Sequence, residues 1–125
     1  MADFLIETAT HFNINNRCYG QSTCYYIPPE GVCSEGCAIG RKLTQEEKDE
    51  VKEHDLNESG FDELIGVLNM PEYFCGMPQS FVEDCQDLHD TTSYWNESGL
   101  SDLGKKAFYR ISENFGLNAD LPVNN

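Results

Sequence analysis

The chain has 125 residues, 14.1 kDa and a formal charge of −14, from 22 acids against 8 Lys plus Arg. That length suits one domain, since domains run roughly 100–200 residues, and the 39% apolar residues can furnish its core. The charge argues against direct binding to nucleic acid or anionic lipid, because affinity for phosphate comes from Lys and Arg.

The first segment, Met-Ala-Asp-Phe-Leu-Ile-Glu, has no basic n-region followed by an apolar run. No window reaches the roughly 18 apolar residues of a membrane span. The expectation is a soluble, cytoplasmic protein whose six cysteines (Cys18, Cys24, Cys33, Cys37, Cys75 and Cys85) are reduced thiols.

In chain order, residues 3–13 read as a helix capped by Asp3, with Leu5, Ala9 and Phe12 on one face. From Arg17 to Gly40 the texture turns to Cys, Tyr, Gly and Pro. Cys24–Ile27 is strand-like, and Pro28-Pro29-Glu30-Gly31 is a turn signal, so a short β-hairpin is expected near residues 23–37. Three capping-box patterns open further helices. Thr44 with Glu47 begins one that reaches about His54. Ser59 with Asp62 begins one with Phe61, Leu64, Ile65 and Leu68 inward. Ser80 with Glu83 begins one that buries Val82, Cys85 and His89, with Leu88 on its flank.

Asn69-Met70-Pro71 should stop the third helix, because proline disfavours helix before it. Residues 70–79 then form an aromatic loop. The last helix runs from about Gly99 or Ser101 to Phe115, with Leu100, Leu103, Ala107 and Ile111 inward and Gly116 as its stop. Residues 121–125 read as a frayed tail. The fold class expected is mainly α: a single small domain over residues 1–125, of about five helices with one short hairpin.

Charge is unevenly placed along the chain. Residues 53–104 contain no Lys or Arg but twelve acids, and residues 46–63 hold nine acids against Lys48 and Lys52. A solvated acidic face and adaptation to high salt are two explanations. The functional one is a partner-binding surface made by Glu46, Glu47, Asp49, Glu50, Glu53, Asp55, Glu58, Asp62 and Glu63, which meets a basic protein by electrostatic complementarity. Its sharpest form is a DNA mimic, in which helices space carboxylates as a backbone spaces phosphates.

The cysteines and histidines offer a second class of function. Cys24, Cys33, Cys37 and His89 are weak candidates for a zinc site, although Cys18 and Cys24 are too far apart for the usual paired knuckle. Cys37 lies in Gly36-Cys37-Ala38-Ile39-Gly40 and, with His89 and Asp90, is a weak candidate for thiol catalysis. Buried packing accounts for the same residues without chemistry. No P-loop, Gly-x-Ser-x-Gly or Gly-x-Gly-x-x-Gly is present. The pairs Tyr25-Tyr26, Tyr73-Phe74, Tyr94-Trp95 and Phe108-Tyr109 suit core or rim packing.

Several short elements resemble a family of small bacteriophage and bacterial proteins with a tyrosine-rich hairpin, a Cys-Ala-(Ile/Val)-Gly element and a His-Asp pair before a terminal helix. They are Cys24-x-Tyr26, Gly31, Cys37-Ala38-Ile39-Gly40, Leu88-His89-Asp90, Trp95 and Phe115-Gly116-Leu117. Cys33-Ser34-Glu35 stands as an insertion relative to that pattern. The resemblance implies an origin and no mechanism. The function expected is a non-catalytic, phage-encoded accessory protein without cofactor that binds and inhibits a basic nucleic-acid-handling or defence protein of the host. The alternative is a thiol- or zinc-dependent small enzyme or metal site around Cys24, Cys37 and His89.

Overall fold

Five helices and one hairpin follow each other in a computed structural model that describes residues 1–12, 26–27 and 36–121. Helix α1 spans Ala2–His11 and buries Phe4, Leu5, Thr8 and Ala9, with Phe12 just beyond its end. The cap expected at Asp3 lies two residues earlier. Met1 is the N-cap, and Asp3 sits inside the first turn, where the helix dipole still favours its charge. The Thr8 hydroxyl satisfies itself by donating to the Phe4 carbonyl at 2.7 Å.

Helix α2, Gln45–Glu53, opens on the full capping box. The Glu47 amide donates to Thr44 Oγ1 at 3.1 Å, and the Thr44 amide donates to Glu47 Oε1 at 2.8 Å. It ends in a Schellman turn: Asp55 takes a positive φ of 54°, its amide reaches the Lys52 carbonyl, and the Leu56 amide reaches Val51. Leu56 and Val51 are both buried there.

Helix α3, Phe61–Leu68, starts at Gly60 and lacks the side-chain cap expected from Ser59. The Ser59 hydroxyl is already used, donating to the Leu56 carbonyl at 2.7 Å. Asn69, at φ 66°, closes the helix before Pro71, and a 3-10 turn over Glu72–Phe74 carries Phe74 into the core.

Helix α4, Gln79–Asp90, begins before Ser80. Its N-cap is Pro78, whose carbonyl accepts from the Phe81 and Val82 amides. A 3-10 turn at Thr92–Tyr94 leads to strands β1 (Trp95–Asn96) and β2 (Gly99–Leu100), which pair antiparallel with Trp95 opposite Leu100 and Asn96 opposite Gly99. The hairpin expected near residues 23–37 falls mostly outside the described residues. The one present at 95–100 was not signalled by alternation, because two-residue strands carry no measurable period.

Helix α5, Asp102–Asn114, is capped by Ser101, whose hydroxyl accepts from the Gly104 amide at 3.2 Å. It closes on a second Schellman turn, at Gly116 (φ 65°), with the Leu117 amide on the Ser112 carbonyl at 2.9 Å. One inward assignment fails. Leu103 is 56% exposed, because α5 buries Gly104, Ala107, Phe108, Ile111 and Ser112 instead. Gly104 lies against the Tyr94 carbonyl, and that close approach of the helix turns the neighbouring Leu103 outward.

The result is one mainly helical small domain with a two-stranded hairpin. Helices α1, α4 and α5 pack on one another, α2 packs on α3, and β2 lies against α1 and α5. Each fully described aromatic pair divides between inside and rim: Phe74, Trp95 and Phe108 are buried, while Tyr73, Tyr94 and Tyr109 keep surface access. The Trp95 indole donates to the Leu88 carbonyl at 2.9 Å. Among the described residues, no helix is long and apolar enough to cross a membrane.

Candidate functional site

Helix α4 has two faces. Phe81, Val82, Cys85, Leu88 and His89 point into the core. Glu83, Gln86, Asp87 and Asp90 fall at i, i+3, i+4 and i+7, so they form one stripe along the helix. Facing this stripe is the turn that leads into α3, with Glu58 and Asp62 on either side of Ser59 and Gly60. Between them lies an open cleft of about 510 Å³. Five carboxylates line it, from Glu58, Asp62, Glu83, Asp87 and Asp90, with Tyr26, Phe61 and Gln86 among the other lining side chains. No Lys or Arg is present among the described residues that line it.

The wall opposite α4 is held from behind. The Tyr26 hydroxyl donates to the Ser59 carbonyl at 2.7 Å, and the Tyr26 amide donates to the Asn57 carbonyl. The Asn57 side-chain amide then pairs with Ile27 at both of its groups, accepting from Ile27 N at 2.7 Å and donating to Ile27 O at 3.0 Å. A side-chain amide thus takes the place of a neighbouring strand.

Asp87 carries the electrostatic consequence of this crowding. Burial pushes its carboxyl above the ordinary carboxylate range, and the nearby charges of Asp90, Asp84 and Glu83 push it further in the same direction. A carboxyl whose pKa is higher in the folded chain binds its proton more readily there than in the unfolded chain. Ionised Asp87 therefore opposes folding at neutral pH, and the penalty disappears as pH falls through the raised value. The variant Asp87→Asn should raise the urea midpoint at pH 7, with the gain shrinking toward about pH 4 as wild-type Asp87 takes up its proton. A lower midpoint for Asp87→Asn at pH 7 would contradict this account.

Of the candidates for chemistry, Asp90 lines the cleft, while His89 and Cys37 are buried in the core. His89 is fully buried, its Nδ1 is 2.8 Å from Asp90 Oδ1, and its ring meets Phe12 edge-on at 4.6 Å between centroids. Gln86 donates from Nε2 to Asp90 Oδ1 at 2.7 Å and accepts at Oε1 from the Ile39 amide at 3.2 Å. The Cys-Ala-Ile-Gly element and the His-Asp pair are therefore tied together through Gln86, a residue the sequence did not single out. Cys37 is fully buried, and its sulfur accepts from the Gly40 amide at 3.4 Å. Burial pushes the Cys85 thiol well above its ordinary range, away from the reactive thiolate. Cys18, Cys24 and Cys33 lie outside the described residues. Among the described residues, no group of three or more His, Cys, Asp or Glu side chains is placed to hold a metal ion.

No family model matches the chain, and no characterised protein or solved structure shows significant similarity to it. The acidic residues must therefore be judged by where the fold puts them. Of the nine acids in residues 46–63, Glu58 and Asp62 line the cleft. Glu46, Asp49, Glu53, Asp55 and Glu63 are exposed, and Glu50 is half-buried. Glu47 is committed internally, with one oxygen in the capping box and Oε2 accepting from the Glu72 amide at 2.9 Å. Asp49 accepts from the Gln45 side chain. Glu83, Asp87 and Asp90 form the wall missing from that sequence-level set, and their i, i+4, i+7 spacing was the signal available for them.

The bases nearest to α1 are also committed. Arg41 and Lys42 both reach Glu7 Oε1 at 2.7 Å, and they lie over the rings of Phe12 and Tyr73 respectively. Burial raises the pKa of Glu7, but hydrogen bonds and charge from Lys42 and Arg41 outweigh it and hold the carboxyl below its usual range. These two cations are spent on fastening α1 to the 40–42 turn.

Proposed function

We propose that this protein is a non-catalytic, phage-encoded accessory protein that uses its acidic cleft to bind and inhibit a basic, nucleic-acid-handling or defence protein in the host cytoplasm. The observation that carries the reading is the convergence of five carboxylates from two separate chain segments on one open cleft. A Lys- or Arg-rich segment entering it would meet negative charge from both walls and lose little hydrogen bonding, since guanidinium and ammonium groups only donate. The exposed carboxylates of α2 (Glu46, Asp49 and Glu53) add further negative charge that a basic partner could meet outside the cleft. The resemblance of the Cys37–Gly40 and Leu88–Asp90 elements to small phage proteins supports the origin.

The test is capture of a host protein on the immobilised chain at about 50 and 500 mM salt, because screening strips an electrostatic partner away as the Debye length contracts. The same capture is repeated with the triple variant Glu58→Gln, Asp62→Asn, Glu83→Gln, which removes three of the five cleft carboxylates, with at least one from each wall, and spares the Gln86–Asp90 bond. Affinity should fall about tenfold or more in the variant, with a weaker salt dependence. Capture that ignores both salt and the triple variant would overturn the proposal, as would the absence of any partner.

A further inference from the structure

We draw no further inference here: the strongest candidate, the carboxylate-lined cleft between α4 and the Glu58–Asp62 turn taken as a site for a small polycation, belongs to the site already described, and no second observation in the structure points to a ligand there.

Discussion

Replacing Phe74 by alanine should destabilise the protein by about 3–5 kcal/mol, the range for deleting a fully buried phenyl ring. Phe74 has no exposed surface and stands at the centre of an aromatic cluster. Its ring meets Phe4 edge-on at 5.0 Å between centroids, Tyr73 at 5.1 Å and Phe61 at 5.9 Å. These partners come from α1, from α3 and from the 3-10 turn that bears Phe74, so no single element can collapse to fill the space. Since domains of this kind are stable by only about 5–15 kcal/mol, the loss is a large share of the total. Urea unfolding should show a much lower midpoint with an unchanged slope, the sign of altered stability and not of an altered unfolded state. Phe74→Leu, which keeps most of the volume, should lose less than half as much. A loss below about 1 kcal/mol for Phe74→Ala would mean that the aromatic cluster is not the core of the fold.

Gly40→Ala should be comparably damaging for the opposite reason, crowding. A Cβ at position 40 would be driven onto the Tyr26 carbonyl group, 2.6 Å from both its carbon and the Tyr26 Cα. The obstacle is backbone, and that backbone is fixed by the Tyr26–Ser59 and Ile27–Asn57 hydrogen bonds. Neither side can give by rotating a side chain. Overpacking typically costs about 1–3 kcal/mol, and an obstacle made of fixed backbone puts Gly40→Ala at the upper end, so the thermal midpoint should fall by about 10 °C. Gly66→Ala is the matched control. Gly66 is exposed on α3 with nothing within 4 Å of its Cβ position, so alanine there should stabilise the helix by about 0.5–1 kcal/mol. If the two variants behaved alike, contact with Tyr26 could not be the reason for glycine at position 40.

The helices were legible because their signals are local. Leu5, Ala9 and Phe12, or Phe61 and Leu64, mark a buried stripe by spacing alone, and Thr44 with Glu47 announces a cap within four residues. The caps assigned to Ser59 and Ser80 failed because a capping pattern states a capacity and not a choice. Ser59 spends its hydroxyl on the preceding turn, and the Pro78 carbonyl starts α4 before Ser80 is reached. Leu103 failed because a leucine and a glycine competed for the same contact, and close packing against Tyr94 selected Gly104. Half of the cleft was legible as an excess of acids between residues 46 and 63. The other half was not, because nothing in the sequence states that α4 lies opposite the Glu58–Asp62 turn. That juxtaposition is tertiary, and even the turn itself is held by Tyr26 and Asn57 bonding across about thirty residues of chain.

The bridge made by Gln86 links the cleft to the interior. Its amide carries polarisation from the Asp90 carboxylate on one side to the Ile39 backbone N–H on the other. A positive group settling beside Asp90 would draw electron density from that carboxylate toward itself and weaken the carboxylate's hold on the Gln86 amide. The Ile39 amide, buried and bonded to Gln86 Oε1, should then shift its proton and nitrogen resonances when the cleft is occupied. An amide signal from the core would report an event at the surface, without any probe attached to the binding face.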